Sequence, residues 1–312
     1  MIRLDDTTGN AVAAAIASER HRMGSPTTGM VLTLLILADE STQADATRAA
    51  MVAAREHPMR ILTVIPRPGR EPHRLDAEVA VGGEDGPGEV AVLRLRGDLA
   101  EHAGSVCIPL LLSDTPVVAW WPTDPPPVPA DDPIGVHAQR RITDAAFAGD
   151  PRQALAARRD GYQPGDTDLA WTRLTPWRTV LAAMFDQPTE PVTGGSILAE
   201  SGNASALLMA SWLQDRLGVP IDLVDDDGPG LTSVTLTTAD GDLVVDRADG
   251  RVAVLRRPGQ PDSHVALPRR ELHELIAEEL RRLDPDDVYA EALDSLDLRG
   301  PRVRRAAGEA GG

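Results

Sequence analysis

Between Gly165 and Arg178 the chain reads Gly-Asp-Thr-Asp-Leu-Ala-Trp-Thr-Arg-Leu-Thr-Pro-Trp-Arg. Asp166, Asp168, Trp171, Arg173, Trp177 and Arg178 thus place carboxylates, indoles and guanidiniums in one short segment. Indole and guanidinium offer large contact area plus directional donors, the pairing favoured where one protein docks on another. Trp120-Trp121, on an apolar run, and Arg140-Arg141 add the same side-chain types upstream. Neighbouring strand residues point to opposite faces, so Trp120 and Trp121 cannot both enter one core. Two readings are open. Trp171 and Trp177 could anchor helices in a core, with Arg173 and Arg178 bridging to Asp166 or Asp168. Alternatively, all ten residues form an exposed partner-binding surface, and as a cluster they favour this second reading.

Signals for turnover are weaker. A dinucleotide site places a Gly-rich turn between the first strand and helix of a βαβ unit, so that backbone amides approach the pyrophosphate. The first such junction here is Leu37-Ala38-Asp39-Glu40-Ser41-Thr42-Gln43, with no glycine and two carboxylates. The second, Glu200-Ser201-Gly202-Asn203-Ala204-Ser205, has one glycine, and a plain helix cap by Ser201 or Asn203 explains it as well as an anion site does. The seven histidines form no H-E-x-x-H or short His-x-His pair, and no G-x-S-x-G elbow occurs. We therefore expect no catalytic residues, cofactor or metal.

Composition narrows the partners. The formal net charge is −17, which repels nucleic acid and anionic membranes. The 31 basic residues are all Arg, so a Schiff-base or phosphate-loop Lys is excluded and anion recognition would be by guanidinium forks. Cys107, the single cysteine, lies in an apolar run and reads as a buried thiol. Met1–Asp6 has no apolar signal core, and the longest apolar stretch, near Met30–Ala38, is too short to span a bilayer. The expectation is a soluble, cytoplasmic protein.

The elements that must carry these residues read as α/β. We expect a helix at 7–22, a buried strand at 30–37, a helix at 43–56 and a strand at 60–65, forming a parallel βαβ unit. Strands at 74–82 and 89–96, a helix at 98–109 and a strand at 116–121 follow. Pro122–Pro133 holds six prolines in twelve residues, an extended stretch. Residues 136–190 read as mainly helical, with a helical turn near Thr167 and a helix capped by Thr175 with Pro176 in its first turn. A strand at 195–200, a helix at 203–216 and a strand at 219–224 lead to a meander over 231–238, 242–247 and 251–256, turning at Asp-Gly pairs. Helices close the pattern at 269–283 and after Asp284-Pro285. The expected fold is two α/β lobes with mixed sheets flanked by helices, joined by a Pro-rich and helical middle segment. The corresponding boundaries are an N-terminal domain at 1–150, a connecting segment at 151–190, a C-terminal domain at 191–298 and a disordered tail at 299–312.

Several segments together resemble the glucose-6-phosphate dehydrogenase assembly protein family, OpcA. They are Arg55-Glu56-His57-Pro58, Thr115–Pro122, Arg140–Asp144, Gly165–Arg178 and Glu278–Asp286. The resemblance implies a non-catalytic assembly factor or allosteric activator that binds glucose-6-phosphate dehydrogenase at the entry to the oxidative pentose phosphate pathway. Cyanobacterial relatives are linked to thiol redox control, but an internal disulfide switch cannot carry over to a chain with Cys107 alone. Two alternatives remain: an enzyme acting on a phosphosugar or its lactone through Arg140, Arg173 and Arg178, or a sugar-phosphate sensor using the Gly202 helix start. A sugar-phosphate effector fits either.

Overall fold

In the computed structural model, residues 1–23, 29–82, 88–297 and 304–305 are described. They fold into two compact units. The first comprises Met1–Asp144, Gln163–Asp168 and Glu271–Pro285; the second comprises Ala145–Tyr162, Leu169–Arg270 and Asp286–Gly312. The middle segment expected as a connector is thus shared out: 163–168 joins the first unit and its flanks join the second. The helices in chain order are α1 (Gly9–Met23), α2 (Gln43–Ala53), α3 (Ala103–Cys107), α4 (Pro151–Asp160), α5 (Leu169–Thr172), α6 (Thr175–Ala183), α7 (Ala204–Leu217), α8 (Leu272–Arg281) and α9 (Asp287–Asp294).

The first unit is built on an eight-stranded mixed sheet. Its strands are β1 (Ile2–Leu4), β2 (Leu32–Leu37), β3 (Met59–Arg67), β4 (Arg74–Val81), β5 (Glu89–Arg96), β6 (Val117–Trp120), β7 (Arg140–Thr143) and β8 (Asp166–Asp168), in the order β1-β4-β5-β3-β2-β6-β7-β8. The run from β5 to β8 is parallel, and β4 and β1 pair antiparallel at one edge. Parallel strands are covered on both faces, which is why β2 is apolar and buried along nearly its whole length. By contrast β4 alternates buried and accessible residues, as a half-exposed strand should. Helix α2 lies against β2, β3 and α8 and buries Ala46, Ala49, Ala50 and Ala53, small side chains that permit close approach.

The second unit holds a seven-stranded sheet. Its strands are β9 (Val192–Ala199), β10 (Ile221–Asp225), β11 (Leu231–Thr238), β12 (Gly241–Asp246), β13 (Val252–Arg256), β14 (Ser263–Ala266) and β15 (Arg304–Arg305), in the order β14-β13-β12-β11-β9-β10-β15. Strands β9 and β10 are parallel and joined by α7, whereas β11 to β14 form an antiparallel meander. Helix α7 stops at Gly218, whose φ of 65° is the left-handed cap that glycine adopts without strain. The α/β class with two mixed sheets is as expected. The tail expected from 299 lies outside the described residues except for Arg304–Arg305.

Several local expectations differ from the structure. Strands β7 and β8 form where helix was expected, because their burial comes from neighbouring strands and short polar runs carry no period of their own. Residues 97–110 make two 3₁₀ turns around α3, and β14 was not foreseen. Leu174, not Thr175, takes the cap position of α6, and Asp286, not Asp284, caps α9 by accepting from the Tyr289 amide at 3.0 Å.

Candidate functional site

In the first unit, β7 presents Arg140 and Arg141 to different partners. The Arg140 Nε and Nη2 donate to Glu279 Oε2 of α8, the former at 2.7 Å, and its Nη1 donates to the Asp284 carbonyl at 2.9 Å. Arg141 donates from Nε to Asp166 Oδ1, and from Nη1 and Nη2 to the carbonyls of Ala138 and Pro164 at 2.8 and 2.6 Å. Gly165 makes this possible: its φ is 96°, and a Cβ there would collide with the Gln139 carbonyl. The Thr143 hydroxyl donates to Asp168 Oδ2 at 2.6 Å. Helix α8 is further tied by His57 Nε2 to the Ala277 carbonyl, 3.0 Å, and by Arg281 to Glu56, 3.4 Å. Three segments far apart in sequence, around Arg140, Asp166 and Glu279, therefore meet in the interior, and residues 56–57 tie α8 from a fourth.

In the second unit, Trp171 is the centre. Its Nε1 donates to Asp286 Oδ2 at 2.9 Å, its ring lies 5.9 Å from that of Tyr289, and the Arg178 guanidinium stacks 3.8 Å from its centroid. Tyr162 meets Tyr289 edge-on at 6.2 Å. Asp286 serves twice, holding the indole with one oxygen and capping α9 with the other.

The expected exposed surface is not formed by these residues. Trp120, Trp121, Arg140, Arg141, Asp166, Asp168, Trp171 and Trp177 are all buried, and only Arg173 and Arg178 are half-exposed. The core-anchor reading holds for the indoles. The sequence reasoning went astray because neighbouring segments supply a second buried layer: Trp121 packs in the first unit's apolar cluster while Trp120, on the opposite face, is equally enclosed.

A cleft of ≈ 180 Å³ opens in the second unit. Arg173, Arg247, Arg269 and Arg270 line it, with Trp177 and the α7 start at Asn203 and Ser205, and its lining contains no carboxylate. Arg247 is only 6% exposed. Its Nη1 and Nη2 donate to the Leu267 and Leu231 carbonyls at 3.1 and 2.8 Å, and its guanidinium lies 4.8 Å from the Trp177 ring centroid. Burial, with the Arg269 charge second, pulls its pKa down to about 10. Arg247, Arg269 and Arg270 were missed from sequence. Arg247 left a signal: it continues the inward phase of Leu243 and Val245, so an arginine stands where the strand demands a core residue.

The two junctions tested for phosphate have their own occupants. Asp39 Oδ1 accepts from the Ser41 and Thr42 amides, both at 2.8 Å, and from their hydroxyls, so a carboxylate fills the start of α2. These bonds, the Ser41 hydroxyl foremost, hold the Asp39 pKa below the usual carboxylate range. At the second junction Asn203 caps α7 by accepting from the Ala206 amide at 2.9 Å. The ≈ 290 Å³ cleft there is lined by Asp150, Glu200 and Asp225 against Arg152, a poor place for phosphate. Among the described residues no cluster of His, Cys, Asp and Glu could hold a metal, and no helix is long and apolar enough to cross a membrane.

Comparison with known proteins decides the family. Residues 50–160 match the N-terminal domain, and residues 164–293 the C-terminal domain, of the family described as "Glucose-6-phosphate dehydrogenase subunit". The chain belongs to the OpcA family. Among curated relatives, the OxPP cycle protein OpcA of Synechocystis is 32% identical over 143 residues, covering 41% of this chain and 29% of that protein. The OpcA of Synechococcus elongatus is 28% identical over 246 residues, covering 69% of this chain and 55% of that protein. This chain thus spans between about a third and half of the length of these OpcA proteins. A solved dehydrogenase (MviM) from Clostridium difficile aligns over 85% of this chain and 96% of its own, at 7% identity and a TM-score of 0.43. The OpcA match takes in both networks described above: Trp171 and Arg173 lie in its C-terminal part, and Arg140 and Arg141 in its N-terminal part.

Proposed function

We propose that this protein is a non-catalytic partner of glucose-6-phosphate dehydrogenase that promotes the enzyme's assembly or its active state. The observation that carries the reading is that both halves match, in order, the two domains of a family described as a subunit of that dehydrogenase. The names of the OpcA relatives place them in the OxPP cycle, which agrees. A partner shifts an enzyme's equilibrium only by binding one state better than another. With eight of the ten signature residues buried, their contribution is to hold the shape of the docking face, and Arg173 and Arg178 are those that can touch a partner directly.

The test is to assay the dehydrogenase from the same source with and without the purified chain and to pass the mixture over a sizing column. Co-elution together with a changed KM or kcat is expected. Separate elution and unchanged kinetics would remove the proposal, and turnover of a phosphosugar by the chain alone would replace it with the enzyme reading.

A further inference from the structure

We propose that the arginine-lined cleft of the second unit binds a small phosphoryl anion, either inorganic phosphate or a phosphomonoester. The inference stands apart from any role toward the dehydrogenase. In a chain with 48 acidic residues against 31 arginines, four guanidiniums converge on one cleft whose lining contains no carboxylate. Chance would place a mixture there.

Arg247 is the strongest sign that the cleft is built for an anion. It is buried, yet its terminal nitrogens meet only the backbone carbonyls of Leu267 and Leu231, and its Nε has no acceptor among the described residues. Burial of this guanidinium is costly, and the Arg269 charge beside it adds to that cost, while the Asp249 carboxylate offsets only part of it. An anion in the cleft offsets both penalties. Asn203 and Ser205, at the start of α7, add uncharged polar groups to the same lining.

Phosphoryl fits better than carboxylate. A carboxylate is satisfied by one guanidinium fork, whereas a tetrahedral dianion offers several oxygens to several forks. The remaining walls, Leu174, Pro176, Trp177 and Leu231, are apolar and suit the organic part of a small ester. At ≈ 180 Å³ the cleft lies below the roughly 300–1,000 Å³ of sites for drug-sized ligands, so the ligand is small.

The experiment is titration calorimetry of the full chain with inorganic phosphate, glycerol phosphate, acetate and potassium chloride at matched ionic strength. One saturable site for the phosphoryl compounds, with no saturable heat from acetate or chloride, is expected. Tighter binding of the ester assigns the physiological ligand to the esters; equal or tighter binding of phosphate assigns it to the free ion. Arg269→Gln removes an exposed side chain and should weaken binding roughly ten- to a hundredfold, the range of a lost charge-assisted hydrogen bond. Arg48→Gln, on the open face of α2, should leave it unchanged. Absence of saturable heat to the order of 10 mM, equal binding of acetate, or undiminished affinity in Arg269→Gln would overturn the proposal.

Discussion

Replacing Trp171 with Phe separates a structural anchor from a docking residue. The substitution keeps a ring against Tyr289 and under Arg178 but deletes the indole N–H that reaches Asp286 at 2.9 Å. A hydrogen bond to a charged group is worth about 1.5–3 kcal/mol. The smaller ring leaves unfilled space at a position only 1% exposed, adding about 1–2 kcal/mol. A loss of roughly 2.5–5 kcal/mol is therefore expected, against under about 0.5 kcal/mol for an exposed residue. Urea unfolding followed by far-ultraviolet circular dichroism measures it, with the second unit's transition fitted on its own. A cycle with Asp286→Ser sharpens the test, because serine can still cap α9 but is too short to hold the indole. The two substitutions should then be non-additive by about 1–2 kcal/mol. A stability loss below about 0.5 kcal/mol, or full additivity, would refute the anchoring argument.

Two further outcomes follow from the first unit. Arg140→Gln leaves Glu279 buried with a lost charge partner and should cost about 3–5 kcal/mol in urea unfolding, whereas the double change to Met at both positions should recover most of that loss. Cys107 is buried and free, and desolvation pushes its pKa up to about 12, so the folded chain should resist a thiol reagent at pH 8 and react fully in denaturant. Because the folded pKa is raised, the thiol's contribution to stability is complete below the unfolded value and declines as pH rises toward 12, which alkaline unfolding curves of Cys107→Ala against the parent should show.

Much of the scaffold was legible because it carries its own periodicity. The apolar run of β2, the alternation of β4 and the Asp-Gly turns of the meander are local signals, and the elements lie within a few residues of their expected limits. Strands β7 and β8 were not, since Arg-Arg-Ile-Thr and Asp-Thr-Asp look like neither strand nor core until β6 supplies a ladder and Glu279 supplies a charge. The signature segment was recognisable as unusual, but the exposure of its residues was misjudged: Asp166, Asp168, Trp171 and Trp177 are interior, while Arg173 and Arg178 are half-exposed.

Composition and order alone determined the acidic balance, the arginine-only cation set, the single unpaired thiol and the membership carried by the Asp-Trp-Arg segment. What tertiary structure decided was which charges are compensated. Arg140 and Arg141 bond carboxylates 139 and 25 residues away, while Arg247 is folded inward beside Arg269 and bonds only backbone carbonyls. The physical reason is that electrostatic cost depends on burial and on distance in space, and neither is written in the spacing of residues along a chain.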